Sequence, residues 1–279
     1  MLWKDNGRSS NLEDRRGFGG RAGLGIGGTA VLLILSLVFG RNFFDDVGAG
    51  TGSGVITESN GRLAPEDSAR EEPEVRFVSF VFDDVQSTWA KVLPQFNQQY
   101  HDARIVLFRN ATDTGCGTGQ SAMGPFYCPT DEKVYIDLAF YEELKSKFAA
   151  AGDFAQAYVI AHELGHHVQH ILGTDRQVQR AAQQGGASAN QMSVKLELQA
   201  DCFAGVWAHS TEQRRILQAG DVDEALTAAA SVGDDRIQAR TSGRVNPDSF
   251  THGSAEQRAS WFKRGLQSGD PRSCNTFGS

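Results

Sequence analysis

Two histidines four positions apart are the most chemically informative feature of this 279-residue sequence. His162 and His166 belong to an H-E-x-x-H pattern whose second residue is Glu163. On a helix, positions i and i+4 lie on one face, so both imidazoles can reach one metal ion. Glu163 is turned by about 100° from His162 and can contact a water molecule at that ion rather than the ion itself. The pattern predicts a zinc site with Glu163 as the catalytic base.

A catalytic zinc ion takes three protein ligands and keeps one position open. In one standard continuation of the motif the third ligand is a histidine at the position where this sequence has Leu172, so that class is excluded. The other continuation is a glutamate on a later helix. Glu197 fits it, because it follows an apolar stripe by one position, as His162 does in its own segment. We predict that His162, His166 and Glu197 bind one zinc ion per chain.

Asp201 stands one helical turn after Glu197 and shares its face. We expect it to accept a hydrogen bond from a ligand histidine, because such partners fix the ring's tautomer and raise its basicity. The alternative for both acidic residues is an ordinary solvated carboxylate on a helix surface.

Peptide hydrolysis also needs a hydrogen-bond donor for the negative charge that develops on the carbonyl oxygen. His252, in a Thr-His-Gly sequence, is the predicted donor and therefore a second catalytic residue. A histidine that caps a turn is the alternative interpretation. Other possible donors are Tyr135, Tyr158, Arg258 and His170.

Two amphipathic segments must position these side chains. Residues 153–173 carry apolar residues at helical spacing and end at Gly173, which predicts a helix with both histidines beside its buried face. The segment around Glu197 repeats this register. Arg104–Phe108 and Lys133–Asp137 are rich in β-branched and aromatic residues and predict strands. The expected fold is α+β and mainly helical, with a small sheet.

The four cysteines contain no C-x-x-C pair, so a cysteine zinc site is not expected. An even number of cysteines in an oxidising compartment suggests two disulfides, for which three connectivities exist. We favour Cys116–Cys128 with Cys202–Cys274, because the first pair closes a short, glycine-rich loop. The alternative is that Cys202 is a buried free thiol.

Residues 22–40 carry no charge and have about the length that crosses a bilayer, which predicts one transmembrane helix. A cleaved signal peptide and a buried core helix are the alternatives. Basic residues are concentrated before this segment, so residues 1–21 should form a cytoplasmic arm. The predicted localisation is a single-pass membrane protein whose catalytic domain lies outside the cytoplasm, in the periplasm or outside the cell.

The rest of the chain divides by composition. Residues 41–74 are glycine-rich and then polar and acidic, which predicts a flexible linker, and residues 75–279 should form the globular domain. The net charge is −7 and no basic stripe occurs beyond the first 21 residues, which argues against a nucleic-acid partner.

Five blocks of the sequence have a recognisable pattern: GPFYCPTDEKVYID (124–137), AYVIAHELGHHVQ (157–169), ELQADCFAGVWA (197–208), HGSAEQRASWFKRG (252–265) and GDPRSCNTF (269–277). Through these blocks, over the globular part and the anchor, the sequence resembles the bacterial, membrane-anchored "putative neutral zinc metallopeptidase" family. The resemblance implies a zincin-like domain in which a small sheet packs on the active-site helix. It also implies an edge strand at Lys133–Asp137 that pairs with extended substrate, although an ordinary core strand is an equal alternative.

The expected function is therefore that of a membrane-anchored, zinc-dependent endopeptidase that hydrolyses peptide bonds with a zinc-activated water molecule and a glutamate base. Its partners would be a peptide or protein substrate and a membrane bound through residues 22–40. The alternative is a non-catalytic, zinc-stabilised domain that binds peptides or acts as an adaptor. A structural zinc site of that kind has four protein ligands and does not need Glu163.

Overall fold

Helices dominate the architecture, because most of the sequence after position 138 has apolar residues at helical spacing. The computed structural model describes residues 1–17, 65–148, 150, 152–184 and 187–278. The predicted α+β, mainly helical class is confirmed. The helices of the described residues are α1 (Pro65–Val92), α2 (Ala139–Phe148), α3 (Asp153–Leu172), α4 (Asp175–Gln184), α5 (Ala187–Gln213), α6 (Asp221–Ser231), α7 (Asp234–Thr241) and α8 (Ala255–Ser268).

A four-stranded sheet packs against the helices, in the spatial order β1-β2-β6-β5. Strands β1, β2 and β6 are parallel, whereas β5 runs antiparallel to β6. A separate antiparallel pair is formed by β3 and β4. The strands are β1 (Leu12–Asp14), β2 (Arg104–Phe108), β3 (Ala111–Thr114), β4 (Gly117–Gln120), β5 (Phe126–Cys128) and β6 (Lys133–Asp137).

The position of β6 in the sheet decides between the two alternatives for Lys133–Asp137, an edge strand and an ordinary core strand. Because β6 pairs with β2 on one side and with β5 on the other, Lys133–Asp137 is an interior strand and not an edge strand. Both faces of the sheet are covered: Ile105 and Val134 belong to the main core, whereas Val106 and Tyr135 belong to a second cluster on the opposite face. This two-sided burial explains the nearly continuous apolar sequence of the two central strands.

Residues 1–17 of the N-terminal arm are part of the domain. Its strand β1 pairs with β2, and the buried guanidinium of Arg16 binds Glu71 on α1 at 2.6 Å. Helix α1 begins at Pro65, so residues 65–74, which we expected to be linker, are helical and also belong to the domain. The acidic composition that suggested a linker instead supplies partners for the basic residues of the arm. The remaining linker residues lie outside the described residues.

The predicted membrane localisation is wrong. Within the described ranges, no helix combines the length and the apolar character needed to cross a membrane. The predicted span, residues 22–40, lies outside the described residues. A single pass between arm and domain would place them on opposite sides of a membrane, whereas β1 is hydrogen-bonded to β2 in the same sheet.

Helices α3, α5 and α8 form the centre of the helical layer. Helices α5 and α8 approach so closely that a Cβ atom at Gly205 would lie 2.1 Å from the carbonyl oxygen of Phe262. A Cβ atom at Gly265 would likewise lie 2.0 Å from the carbonyl oxygen of Cys202. Glycine is therefore required at both positions by the distance between the two backbones, and this contact holds α8 beside the residues of α5 that follow Glu197.

Two disulfides join neighbouring segments, with the pairing favoured from the sequence. Cys116–Cys128 connects the turn between β3 and β4 to strand β5, and Cys202–Cys274 ties α5 to the C-terminal 3-10 turn Pro271–Cys274. The second bond lies directly after Asp201 in the sequence and so restrains the helix that carries the predicted third ligand.

Candidate metal centre

The three predicted ligands converge at one point between α3 and α5. The Nε2 atom of His162 lies 3.2 Å from one carboxylate oxygen of Glu197, and the Nε2 atom of His166 lies 3.4 Å from the other. Zinc–ligand bonds of about 2.0–2.2 Å place neighbouring ligand atoms roughly 3.4 Å apart in a tetrahedral site. The donor set and its spacing therefore fit a zinc ion.

A close contact between two helices brings Glu197 to the histidines. Gly165, between the two histidines, faces Ala200 of α5, and a Cβ atom at Gly165 would lie 3.0 Å from the carbonyl oxygen of Ala200. The absence of a side chain at this position lets the two backbones approach. Because Ala200 is three residues after Glu197 on α5, the same contact determines where the carboxylate of Glu197 lies along the helix axis relative to His162 and His166.

Asp201 binds the side of His162 that faces away from the other ligands. Its Oδ1 atom lies 2.9 Å from Nδ1 of His162, which leaves Nε2 available to a metal. Asp201 is fully buried and also accepts hydrogen bonds from Arg258, at 2.8 and 3.0 Å, and from the hydroxyl group of Tyr158. Burial raises the pKa of Asp201, but Arg258 and His162 lower it more, so its pKa lies below the ordinary value.

His166 has a different support, the side-chain amide of Gln169. The Nδ1 atom of His166 lies 2.8 Å from Oε1 of Gln169. The amide nitrogen of Gln169 donates to the carbonyl oxygen of Leu196 at 2.7 Å and to Oε1 of Gln199 at 3.1 Å. These donations fix the orientation of the amide, so its oxygen must face His166. The two ligand histidines therefore have unlike partners, a carboxylate for His162 and a neutral amide for His166.

The predicted base, Glu163, is buried next to the ligands. Burial raises its pKa above the ordinary value, whereas the neighbouring charges of His162 and His166 act in the opposite direction. Glu197 behaves in the reverse sense: burial raises its pKa, but His166, His162 and His252 lower it well below the ordinary value. The same pocket therefore holds one carboxylate that retains a proton readily and one that remains ionised.

Comparison with known proteins shows which protein family the chain belongs to. The profile of a protein family described as "Putative neutral zinc metallopeptidase" matches residues 1–277. The chain belongs to this family. The resemblance seen in the sequence blocks is thereby confirmed, and the family description implies zinc. The cluster of His162, His166 and Glu197 is one of the groups among the described residues that could hold a metal ion.

Relatives within the zinc metallopeptidase family extend over much or all of the chain. The "Uncharacterized protein YpfJ" of Escherichia coli strain K12 is 49% identical over 290 aligned residues, which cover 100% of this chain and 99% of that protein. The "Uncharacterized protein Rv2575" of Mycobacterium tuberculosis strain H37Rv is 45% identical over 204 residues, covering 69% of this chain and 67% of that protein. No solved structure gives a significant match.

His252 lies in the turn before α8 and is held there by a residue that the sequence analysis missed. Asp234, the first residue of α7, binds Nδ1 of His252 through Oδ1 at 3.1 Å. Its Oδ2 atom accepts backbone N–H groups from Thr251, His252 and Gly253, at 2.7, 2.6 and 3.1 Å. A Cβ atom at the neighbouring Gly253 would lie 3.2 Å from the side chain of Leu198, so this turn packs against α5 next to Glu197. His252 is also one of the groups that lower the pKa of Glu197.

The other proposed donors are divided between the centre and its surroundings. Arg258 lies 3.7 Å from Glu197, and Tyr158 contacts Asp201. Tyr135 instead donates to Asp131 at 2.6 Å, on the far side of the sheet. His170 contacts Asp175 and Glu132 rather than the three ligands.

The roles of Gln169 and Asp234 differ in whether the sequence could have predicted them. Gln169 was detectable in principle, since it follows His166 by three positions on the same helix face. Asp234 could not be detected, because it contacts His252 from a different segment of the chain, and no helical or strand repeat links the two positions.

Proposed function

We propose that this protein is a zinc-dependent endopeptidase that acts on extended peptides. The observation that carries the proposal is the convergence of His162, His166 and Glu197, with the carboxyl group of Glu163 buried beside them. Zinc held by the three ligands would supply a Lewis acid that polarises the scissile carbonyl group and lowers the pKa of water. The set contains three protein ligands among the described residues, whereas a closed structural site would use four.

Glu163 is the proton-transfer group of the proposed reaction. Its carboxylate accepts a proton from the attacking water molecule and later gives it to the leaving amine as the C–N bond breaks. Burial of the side chain supports this role, because a raised pKa lets the carboxyl group hold the proton between the two steps.

His252 is the proposed donor to the oxygen of the scissile carbonyl group. Asp234 binds the Nδ1 atom of its ring, and in the proposed reaction the Nε2 atom donates to the substrate oxygen. The three backbone N–H groups that Asp234 accepts hold the whole turn, which makes the direction of the ring a property of the fold rather than of a mobile loop.

Strand β5 is the proposed site of substrate addition. Among the described strands it has one hydrogen-bonded neighbour, β6, so its outer edge can pair with an extended peptide backbone. Tyr127 of β5 contacts His167 of α3, with 2.9 Å between its hydroxyl oxygen and Nδ1. This contact holds the strand against the helix that carries the two ligand histidines. A substrate that pairs with a strand edge must offer a peptide backbone, so the arrangement supports peptide rather than ester substrates.

The deciding experiment compares the full-length protein with its Glu163→Gln variant on a library of unstructured peptides. We expect the variant to keep one tightly bound zinc ion per chain and to lose activity by about 10²–10⁴-fold. Glu212→Gln, at an exposed position of α5, is the matched control and should retain both zinc and activity. Full activity of Glu163→Gln, or no cleavage by zinc-loaded wild-type protein, would refute the proposed function.

A further inference from the structure

We propose, resting on the zinc centre of the proposed function, that Gln199 is a positioning residue which acts on the ligand His166. The Cys202–Cys274 disulfide anchors Gln199, so formation of this bond raises the affinity of the centre for zinc. Gln199 lies on α5 two positions after Glu197, and residues at that spacing do not face each other on a helix. Gln199 therefore acts on the metal centre through other side chains rather than through Glu197.

A second glutamine, Gln169, connects Gln199 to His166. The Nε2 atom of Gln169 donates to Oε1 of Gln199 at 3.1 Å, and Oε1 of Gln169 lies 2.8 Å from Nδ1 of His166. Turning the amide of Gln169 by about 180° would bring two oxygen atoms together at Gln199 and present an N–H group to Nδ1 of His166. Gln199 therefore favours the orientation in which the oxygen of Gln169 accepts from Nδ1, and this leaves Nε2 of His166 to bind metal.

The carbonyl oxygen of Leu196 is the other acceptor for the amide nitrogen of Gln169, at 2.7 Å. It belongs to the backbone of α5 and restrains the same amide group. Removing the side-chain amide of Gln199 therefore weakens the restraint on Gln169 without abolishing it. Gln169 is fully buried and Gln199 is 8% exposed, so water replaces a lost hydrogen bond poorly at this point.

The orientation of Gln199 depends in turn on the C-terminal segment. The Nε2 atom of Gln199 donates to the carbonyl oxygen of Cys274 at 3.0 Å. A carbonyl oxygen accepts only from the NH2 end of the amide, so the oxygen of Gln199 is directed at Gln169. The contacts from Cys274 to His166 thus pass through two amides, and each amide fixes the orientation of the next.

The Cys202–Cys274 disulfide holds the carbonyl oxygen of Cys274 within reach of Gln199. Cys202 is three residues after Gln199 on α5, so the two side chains lie on one face of the helix. On the other side of Gln199, the hydroxyl group of Thr276 donates to the carbonyl oxygen of Lys195 at 2.7 Å. The C-terminal segment is therefore attached to α5 on both sides of Gln199. Without the covalent attachment, Cys274 can move away and Gln199 loses its acceptor.

Competition between a fluorescent chelator and the full-length protein measures the affinity for zinc. Gln199→Met removes both hydrogen bonds of the amide at nearly unchanged side-chain length, and we expect zinc affinity to fall by about tenfold. Gln169→Met should cause an equal or larger loss, of about 10–100-fold, because it removes the direct partner of His166. The matched control is Gln213→Met, the same change at an exposed position of α5, which should leave zinc affinity unchanged.

Removal of the disulfide in Cys202→Ala/Cys274→Ala should lower zinc affinity by about the same factor as Gln199→Met. The matched control is Cys116→Ala/Cys128→Ala, which removes the other disulfide and leaves the contacts of Gln199 intact. This control should lose thermal stability but keep wild-type zinc affinity. Gln199→Met retains both disulfides, so its result does not depend on whether the cysteine variants fold.

A double variant distinguishes positioning from a general loss of structure. If Gln199 acts through Gln169, adding Gln199→Met to Gln169→Met should lower zinc affinity further by less than about twofold, whereas independent effects would multiply. The proposal is overturned if the two losses multiply, or if Gln199→Met binds zinc as tightly as the wild-type protein. Failure of the proposed function gives a different result, the absence of peptide cleavage by zinc-loaded wild-type protein.

Discussion

The carboxylate of Asp201 lies 2.9 Å from Nδ1 of His162, and the same carboxylate is bound by the buried guanidinium of Arg258. A metal ligand is thus joined to a buried ion pair between α5 and α8. Asp201 orients the imidazole, and Arg258 compensates the charge that Asp201 carries in a site with no exposed surface. Stability of the helical layer and affinity for zinc therefore depend on one side chain.

Asp201→Asn should weaken both properties. The substitution keeps the size of the side chain but removes the charge, so the buried Arg258 loses its closest charged partner. We expect zinc affinity to fall by about 10–100-fold and the free energy of unfolding of the metal-free protein to fall by about 3–5 kcal/mol. Chelator competition and urea denaturation measure the two effects. Unchanged zinc affinity would show that Asp201 does not support His162.

Asp234→Asn should lower activity without changing zinc content. Asparagine retains a carbonyl oxygen but loses the charge that holds the ring of His252. If His252 is the donor, His252→Ala should reduce kcat by about 10²–10³-fold, and Asp234→Asn should reproduce part of that loss. The control is Asp223→Asn, at an exposed position of α6. An equal loss of bound zinc in Asp234→Asn would instead indicate a purely structural role.

Gly165→Ala tests the contact between α3 and α5. The added methyl group would lie 3.0 Å from the carbonyl oxygen of Ala200, so the helices must separate by a few tenths of an ångström. We expect a loss of about 1–3 kcal/mol in unfolding free energy and weaker zinc binding, because Glu197 moves with α5. A variant with wild-type zinc affinity would mean that the spacing of the helices does not set the position of Glu197.

Zinc binding to the metal-free protein should strengthen as the pH rises. Burial lowers the pKa of His162, but Asp201 and Glu197 raise it more, to about 10, from an ordinary value of 6.5. Protonated His162 therefore stabilises the metal-free fold fully below pH 6.5, and this contribution is lost as the pH rises through about 10. Because zinc must displace that proton, its apparent affinity should increase between pH 6 and 9. A pH-independent affinity in isothermal titration would contradict the raised pKa.

Local periodicity accounts for what the sequence alone determined about the metal centre. His162, Glu163 and His166 share one helix, so the helical repeat is sufficient to place two imidazoles on one face and the carboxyl group beside them. Glu197 and Asp201 could be predicted because their own helix repeats the same register relative to its apolar stripe. The family could be recognised from the sequence because its motifs are short and contiguous.

Only the tertiary structure decided the features that depend on contacts between distant segments. Periodicity predicts that Lys133–Asp137 is a strand, but its neighbours β2 and β5 make it an interior one. In the same way, the pairing of β1 with β2 made the N-terminal arm part of the domain. Asp234 reaches His252, and Gln169 reaches Gln199, only because the fold brings their backbones together. Such contacts depend on how the elements pack in three dimensions, and no spacing along the chain records them.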